Sequence, residues 1–254
     1  MSESAGGLFA GRRAIVTGGA SGIGAAVVAQ LAAAGAAGCV LDLPAAVEGS
    51  GPAGWIAIGV DVRSEAAVRD AVAHAAAGLG GLDLVVAAAG IVPGWSSVEQ
   101  LDLDEWDEVF AVNVRGVAAT IKHAARHLAD GGSIVVVASL NSWRGDGNLA
   151  SYTASKHAVL GIVRSAAIDL GPRGIRVNAV APGPIATGAL LARMRHRERE
   201  GGLDVESALA QAAGNTALGR IATAEDVASA TLFLASPLAA GVTGHLLPVD
   251  CGIS

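Results

Sequence analysis

The chain has 254 residues, a formal net charge of −6, 52% hydrophobic residues and only 3% aromatic ones. The negative charge argues against nonspecific nucleic-acid binding, and the length allows an α/β domain with a substantial core. Its two cysteines, Cys39 and Cys251, lie far apart without metal-ligand spacing, as expected for reduced thiols in a cytoplasmic protein.

Met1 to Gly11 lacks a basic start followed by an apolar core, so no signal peptide is expected. Residues 14–41 carry no charge, but Thr17, Gly18, Gly19, Ser21, Gly22 and Gly24 interrupt the run. A strand, a turn and a buried helix explain it better than a membrane span. Residues 14–16 form the strand, and residues 23–34 form the helix, which stops at Gly35. A second strand at 39–41 ends at Asp42, residues 44–54 read as a loop, and 55–60 as a third strand. A helix spans 64–77, with Ser64 as its N-cap. A fourth strand follows at 82–88. Asp102-Leu103-Asp104-Glu105 resembles a capping box opening a long helix to about residue 129. Residues 133–138 are a fifth strand. The helix with Tyr152 and Lys156 ends near Gly171-Pro172, and a sixth strand covers 175–180. Pro182-Gly183-Pro184 breaks the pattern. Residues 190–213 read as one or two mobile helices, 224–235 as another, and 245–249 as a last strand. The alternation predicts one α/β domain over 1–254. Its sheet is doubly wound and mostly parallel, with about seven strands and helices on both faces.

Two features carry chemistry. Thr17-Gly18-Gly19-Ala20-Ser21-Gly22-Ile23-Gly24 follows a strand and opens a helix. Glycines there let the backbone approach a pyrophosphate, and the helix N-terminus offers free N–H groups. Asp42, 18 positions after Gly24, can accept hydrogen bonds from both ribose hydroxyls of an adenosine and repels a 2′-phosphate. No Lys or Arg occurs from Ala14 through Val62, so NAD is expected rather than NADP. Asp61 and Val62 follow the third strand, where Asp61 can approach an adenine amino group or cap a helix. The second feature is Ser151-Tyr152-Thr153-Ala154-Ser155-Lys156. On a helix, Tyr152 and Lys156 share one face. A nearby ammonium lowers a phenol's pKa and readies it to exchange a proton with a substrate oxygen.

With Asp61, Asn113, Ser139, Asn178 and Pro182-Gly183 in matching order and spacing, these motifs resemble the short-chain dehydrogenase/reductase family along essentially the whole chain. The resemblance implies a single Rossmann-like catalytic domain and NAD(P)-dependent interconversion of a secondary alcohol and its ketone. It implies that Tyr152 is the general acid/base and that Lys156 holds the nicotinamide ribose. Ser139 would hydrogen-bond the substrate oxygen, and Asn113 would hold a water linking Lys156 to solvent. Gly18, Ser21, Gly22, Ile23, Gly24, Ala89, Gly90, Pro182, Gly183, Ile185 and Thr187 would surround the cofactor. Thr187 and the Ile185 backbone would meet the nicotinamide carboxamide. A lid at about 188–215 and the loop residues Trp95, Asn141, Trp143, Leu190, Leu191 and Met194 would enclose a cyclic or bulky secondary alcohol. A homotetramer is implied, and small residues such as Ala118, Ala119, Ala158 and Gly161 suit close helix pairing. Two departures stand out. Ala87-Ala88-Ala89-Gly90 replaces the family's Asn-Asn-Ala-Gly, which predicts lower local rigidity or a compensating apolar contact. Asp250-Cys251-Gly252 replaces Asp-Gly-Gly.

Competing readings are weaker. A non-catalytic NAD-binding sensor needs no Ser139/Tyr152/Lys156/Asn113 set. A lyase-type relative would replace the lysine and lose the dinucleotide loop. His123 and His127 have metal-compatible spacing, but Lys122 and Arg126 crowd them, so a solvated or intersubunit helix face is expected and no metal. The run Arg193-Met194-Arg195-His196-Arg197-Glu198-Arg199-Glu200 reads as a solvated lid surface, with a cationic gate for an acidic substrate as the sharper alternative.

Overall fold

The computed structural model describes residues 7–253. The start of Met1–Gly11, where no leader is expected, lies outside them. Seven strands build one sheet: β1 Arg13–Thr17, β2 Ala37–Asp42, β3 Ile56–Gly59, β4 Leu82–Ala87, β5 Leu128–Val137, β6 Arg176–Pro182 and β7 Leu246–Val249. Their order is β3-β2-β1-β4-β5-β6-β7, and every pairing is parallel. The chain winds outward from β1 to β3, then returns past β1 to β4. The strand order therefore switches between β1 and β4, where α/β sheets open a crevice at their carboxyl ends.

The helices follow in order: α1 Gly22–Ala33, α2 Pro44–Val47, α3 Glu65–Leu79, α4 Leu103–Phe110, α5 Val117–Ala124, α6 Ala150–Leu170, α7 Gly188–Arg199, α8 Val205–Gly214 and α9 Ala224–Ala235. Alternation along each strand feeds two cores. Ile15, Val85, Ile134 and Val136 pack with Val68 and Val72 of α3, Ile121 of α5 and Val163 of α6. Ala14, Val16, Val86 and Val135 pack with Val27 and Leu31 of α1 and Val227 and Leu234 of α9. Each such side chain fully buried contributes about 1.5–3 kcal/mol, which is why the uncharged 14–41 run turns inward.

Several boundaries differ from the sequence reading. Residues 44–54 are not all loop, because Pro44 sits at the first turn of α2. The helix expected to run to residue 129 is α4 and α5 joined through a π-helical turn, Ala111–Gly116. It ends early because Arg173 donates to the carbonyls of Ala125 (2.7 Å) and Leu128 (2.5 Å) and β5 begins at Leu128. The Asp102 carboxylate does accept from the N–H groups of Asp104 and Glu105. Glu105 does not reciprocate; its carboxylate accepts from Gly94 N at 3.3 Å.

Candidate active site

The glycine loop lies flat against the end of β4. Gly18 has φ +67°, and a Cβ there would stand 2.6 Å from Ala89 N. A Cβ on Gly24 would collide with the Gly18 carbonyl oxygen. Both positions therefore exclude side chains. The first turn of α1 has no acidic residue, and Ser21 makes no side-chain cap bond. Its leading N–H groups thus keep their capacity for an anion. Asp42 pins this loop to the end of β2: Oδ2 accepts from Ala20 N at 3.0 Å and Oδ1 from Leu43 N at 2.8 Å.

All the residues assigned to a cofactor line one cleft of about 860 Å³, together with Ser139 and Asn141. Asp61 lies on its wall, gripped by Arg63 through Nε (2.9 Å) and Nη2 (2.6 Å). That pairing holds the Asp61 carboxyl below its ordinary value. Asp61 does not cap α3; Ser64 does, accepting from Ala67 N at 3.3 Å. Arg63 itself stands one position beyond the cation-free stretch and lines the same cleft. It also reaches Glu108 at 3.2 Å, so two carboxylates offset its charge.

Tyr152 and Lys156 project from the first turns of α6. Lys156 is 5% exposed, and its Nζ donates to the Val137 carbonyl at 3.1 Å, 5.6 Å from the Tyr152 ring centroid. Burial lowers the ammonium to about 8. Tyr152 departs from expectation. Burial raises its phenol, while Ser139 and the positive charge of Arg193 oppose the rise and Asp146 adds to it. In the chain alone, desolvation outweighs every neighbouring charge, and the Lys156 ammonium is turned to a β5 carbonyl. The Ser139 hydroxyl accepts from Asn141 N at 3.2 Å and so also caps the turn Leu140–Ser142.

Asn113 is fully buried within the π-helical turn and does not line the cleft. Its Nδ2 donates to Ile91 O (2.9 Å) and Ser155 Oγ (3.2 Å), and its Oδ1 accepts from Ile91 N (2.8 Å). Ser155 Oγ in turn donates to the Tyr152 carbonyl at 2.7 Å. The amide thus ties the segment after β4 to the helix carrying Tyr152. Gly90 fits between: a Cβ there would stand 3.2 Å from Asn113 Oδ1 and 3.7 Å from Lys156 Nζ. At the Ala87–Gly90 departure, Ala88 N donates to Thr17 O (3.1 Å), and Ala88 and Ala89 pack on opposite cores. Cys251, where the family has glycine, adopts φ +58°.

The far wall comes from α7. Thr187 caps it, accepting from Leu190 N at 3.4 Å, and lies against Gly22 of the phosphate loop. Trp95, Asn141, Leu190 and Met194 line the cleft, whereas Trp143, which is 42% exposed, and Leu191 do not. Arg193 and Asp146 also line it. Sequence reasoning passed over both as individual residues, though Arg193 opens the arginine run. The Arg193 guanidinium sits 4.0 Å from the Trp95 ring centroid and that of Arg197 at 5.1 Å. His123 is not on a solvated face: it is buried, and its Nε2 lies 3.3 Å from Glu65, which also binds Lys122. Among the described residues no cluster could hold a metal ion, and no helix is long and apolar enough to cross a membrane.

Comparison with known proteins gives the same picture. The family model described as enoyl-(acyl carrier protein) reductase matches residues 18–254. The (−)-isopiperitenol/(−)-carveol dehydrogenase of Mentha piperita is 42% identical over 96% of this chain and 94% of its own length. The cis-4-hydroxycyclohexanecarboxylate dehydrogenase of Sinomonas cyclohexanicum is 41% identical over 96% of this chain and 97% of its own. A short-chain dehydrogenase from Burkholderia cenocepacia J2315, solved with NADP, is 36% identical and superposes with a TM-score of 0.83 over 96% of this chain and 98% of its own. The chain belongs to the short-chain dehydrogenase/reductase family, whose members are oxidoreductases that bind a nicotinamide cofactor.

Proposed function

From this family membership we propose that the protein is an NAD-dependent dehydrogenase acting on a ring-borne secondary alcohol or its ketone. The observation that carries the reading is the convergence of the glycine loop, Asp42, Ser139, Tyr152 and Lys156 on one cleft. The residues present fit a dinucleotide: two glycines whose added Cβ atoms would clash and an uncapped, acid-free helix start leave room and donors for a pyrophosphate. Asp42 would take the adenosine ribose, Lys156 the nicotinamide ribose, and Ile185 and Thr187 the carboxamide. Bound there, the cofactor supplies the hydride acceptor or donor. The chain's own work is to orient substrate and move a proton. Tyr152 Oη exchanges that proton with the substrate oxygen, and Ser139 Oγ steadies the same oxygen. Asn113 positions α6 through Ser155 and Ile91 rather than touching substrate.

NAD is preferred because a 2′-phosphate would meet the Asp42 carboxylate. Arg63, which lines the same cleft, is already engaged by Asp61 and Glu108. Residues 1–254 act as one catalytic domain, with 188–215 as its lid. The two dehydrogenases above, named for cyclic alcohols, support a ring substrate. The exposed Gly161 and Ile168 on α6 suit pairing with a second copy, and a homotetramer is expected. A panel of cyclic alcohols and ketones followed by NADH absorbance tests the activity, and failure to turn over any of them defeats it. Parallel titrations test the cofactor: tighter binding of NADP than of NAD by the unmodified protein refutes the Asp42 argument. Asp42→Ala should weaken NAD binding and narrow the preference.

A further inference from the structure

Three arginines in this chain share one arrangement. Arg13, Arg63 and Arg69 each turn the Nε–Nη2 edge of the guanidinium onto a carboxylate. The distances are 2.7 and 3.1 Å on Asp83, 3.0 and 2.6 Å on Asp61, and 2.8 and 3.3 Å on Asp70. That edge presents two parallel N–H donors at the spacing of two carboxylate oxygens. Arg193 differs. Its Nε and Nη2 are both inaccessible to solvent, and neither has a hydrogen-bond partner among the described residues. It forms no ion pair there either, and its guanidinium lies over the Trp95 ring inside the cleft that holds Tyr152.

We propose that the Arg193 guanidinium binds a carboxylate carried by the substrate, entry of the substrate under the lid helix α7 uncovering this edge, so that the enzyme acts on a ring hydroxy acid or the corresponding oxo acid. The inference rests on the dehydrogenase reading above and adds the substrate's charge. Leaving two buried guanidinium donors unmet is costly, and a carboxylate satisfies both at once. Contact with Trp95 covers one face of the guanidinium and limits how the edge can turn. Burial also lowers the guanidinium pKa, while the charges of Tyr152 and Asp146 only partly compensate. Asp146, exposed and 3.5 Å from Asn141 Nδ2, disfavours an anion on the loop side, where Arg144 also lines the cleft; Asp42, Asp61 and Glu108 add further negative charge to the same cleft. A substrate anion is thus directed toward α7, while its carbinol faces Tyr152 and Ser139. In oxidation the carbinol C–H bond gives its hydride to NAD and the hydroxyl proton passes to Tyr152. The carboxylate takes no part in the redox step.

Two measurements test this. Cyclohexanecarboxylate has no carbinol, so its calorimetric titration into the NAD complex reports the anion site whether or not chemistry occurs. It should bind, Arg193→Met should weaken it about 10- to 100-fold, and Arg193→Lys should fall between, since an ammonium lacks the fork. In turnover, 3- and 4-hydroxycyclohexanecarboxylate should exceed their carboxamides in kcat/KM. That ratio should collapse by a similar factor in Arg193→Met. Thermal unfolding of both variants checks that they fold. Equal use of acid and amide by the unmodified enzyme overturns the proposal. So does cyclohexanecarboxylate affinity indifferent to Arg193→Met, or a variant that loses NAD binding while keeping the acid-to-amide ratio. Arg193-dependent binding of cyclohexanecarboxylate without turnover of any alcohol would uphold the carboxylate site and defeat the dehydrogenase reading instead.

Discussion

Replacing Lys156 with Met should make the cofactor-free protein more stable while destroying its activity. Lys156 is 5% exposed, its ammonium has one hydrogen-bond partner among the described residues, the Val137 carbonyl, and burial lowers it from 10.5 to about 8. Holding it charged in the fold at neutral pH costs about 3 kcal/mol. Losing the Val137 bond gives back about 1 kcal/mol. Met keeps a similar length and needs no partner, so the variant should gain about 2 kcal/mol. For a chain of this size that is roughly 4–8 °C in Tm. The sign fixes a pH signature. The folded value lies below the unfolded one, so the full penalty applies below pH 8. Between about 8 and 10.5 the unfolded chain binds more protons, and the unmodified protein recovers stability as pH rises. The advantage of the variant should therefore be largest at pH 7 and fade toward pH 10. Calorimetric unfolding without cofactor, from pH 7 to 10, reads both effects. A variant no more stable than the parent at pH 7, or a difference that does not shrink with pH, would refute the reasoning.

Three further outcomes follow from the site. Tyr152→Phe should lower turnover by about 10²–10⁴-fold while leaving NAD affinity, measured by fluorescence titration, nearly unchanged; near-normal turnover would mean the proton travels by another route. Asn113→Ala leaves the N–H and carbonyl of Ile91 without their partner and should cost about 2–5 kcal/mol in urea unfolding. A loss under 1 kcal/mol would show that solvent replaces the amide at no cost. Cys251→Gly relieves a left-handed backbone at φ +58° and should add about 1 kcal/mol to stability; an unchanged or lower Tm would count against strain in that turn.

The fold was legible because its causes are local and periodic. Short apolar runs ending in glycine or aspartate became β1 and β2, and the 18-residue interval from Gly24 to Asp42 reflects one helix and one strand. The π-helical turn was not legible, since nothing in Ala111–Gly116 breaks the helical pattern. The turn accompanies Asn113's bonds to Ile91 and Ser155, 22 and 42 residues away. The early start of β5 was hidden for the same reason, because Arg173 terminates α5 from 48 residues away. At the site, Tyr152 and Lys156 were visible through their spacing. Arg193 was hidden among similar arginines, and its burial in the cleft against Trp95, a residue remote in sequence, separates it from Arg195 and Arg199. Arg63 escaped a count of cations that stopped one residue short of it.

The direction of the Tyr152 shift bears on how the two reaction directions should depend on pH. A phenol raised by burial is protonated across the neutral range, which suits donation to a ketone oxygen. Abstracting a proton from an alcohol requires the phenolate, and only positive charge close to the ring can make it accessible. The groups available are Lys156, which loses its own charge above about 8 in the free chain, and Arg193, which does not titrate in this range. If Arg193 is neutralised by a substrate carboxylate, its help to the phenolate is lost, and Lys156 with the oxidised cofactor must supply the rest. Ketone reduction should therefore hold a plateau at neutral pH and decline above about 8, as the Lys156 ammonium is lost. Alcohol oxidation should climb through the alkaline range, with coupled apparent values for Tyr152 and Lys156 rather than one clean step. Steady-state kcat/KM in both directions from pH 6 to 10 measures this. Oxidation that falls from pH 7 to 9, or reduction that rises over the same span, would show that Tyr152 is not the group exchanging the proton.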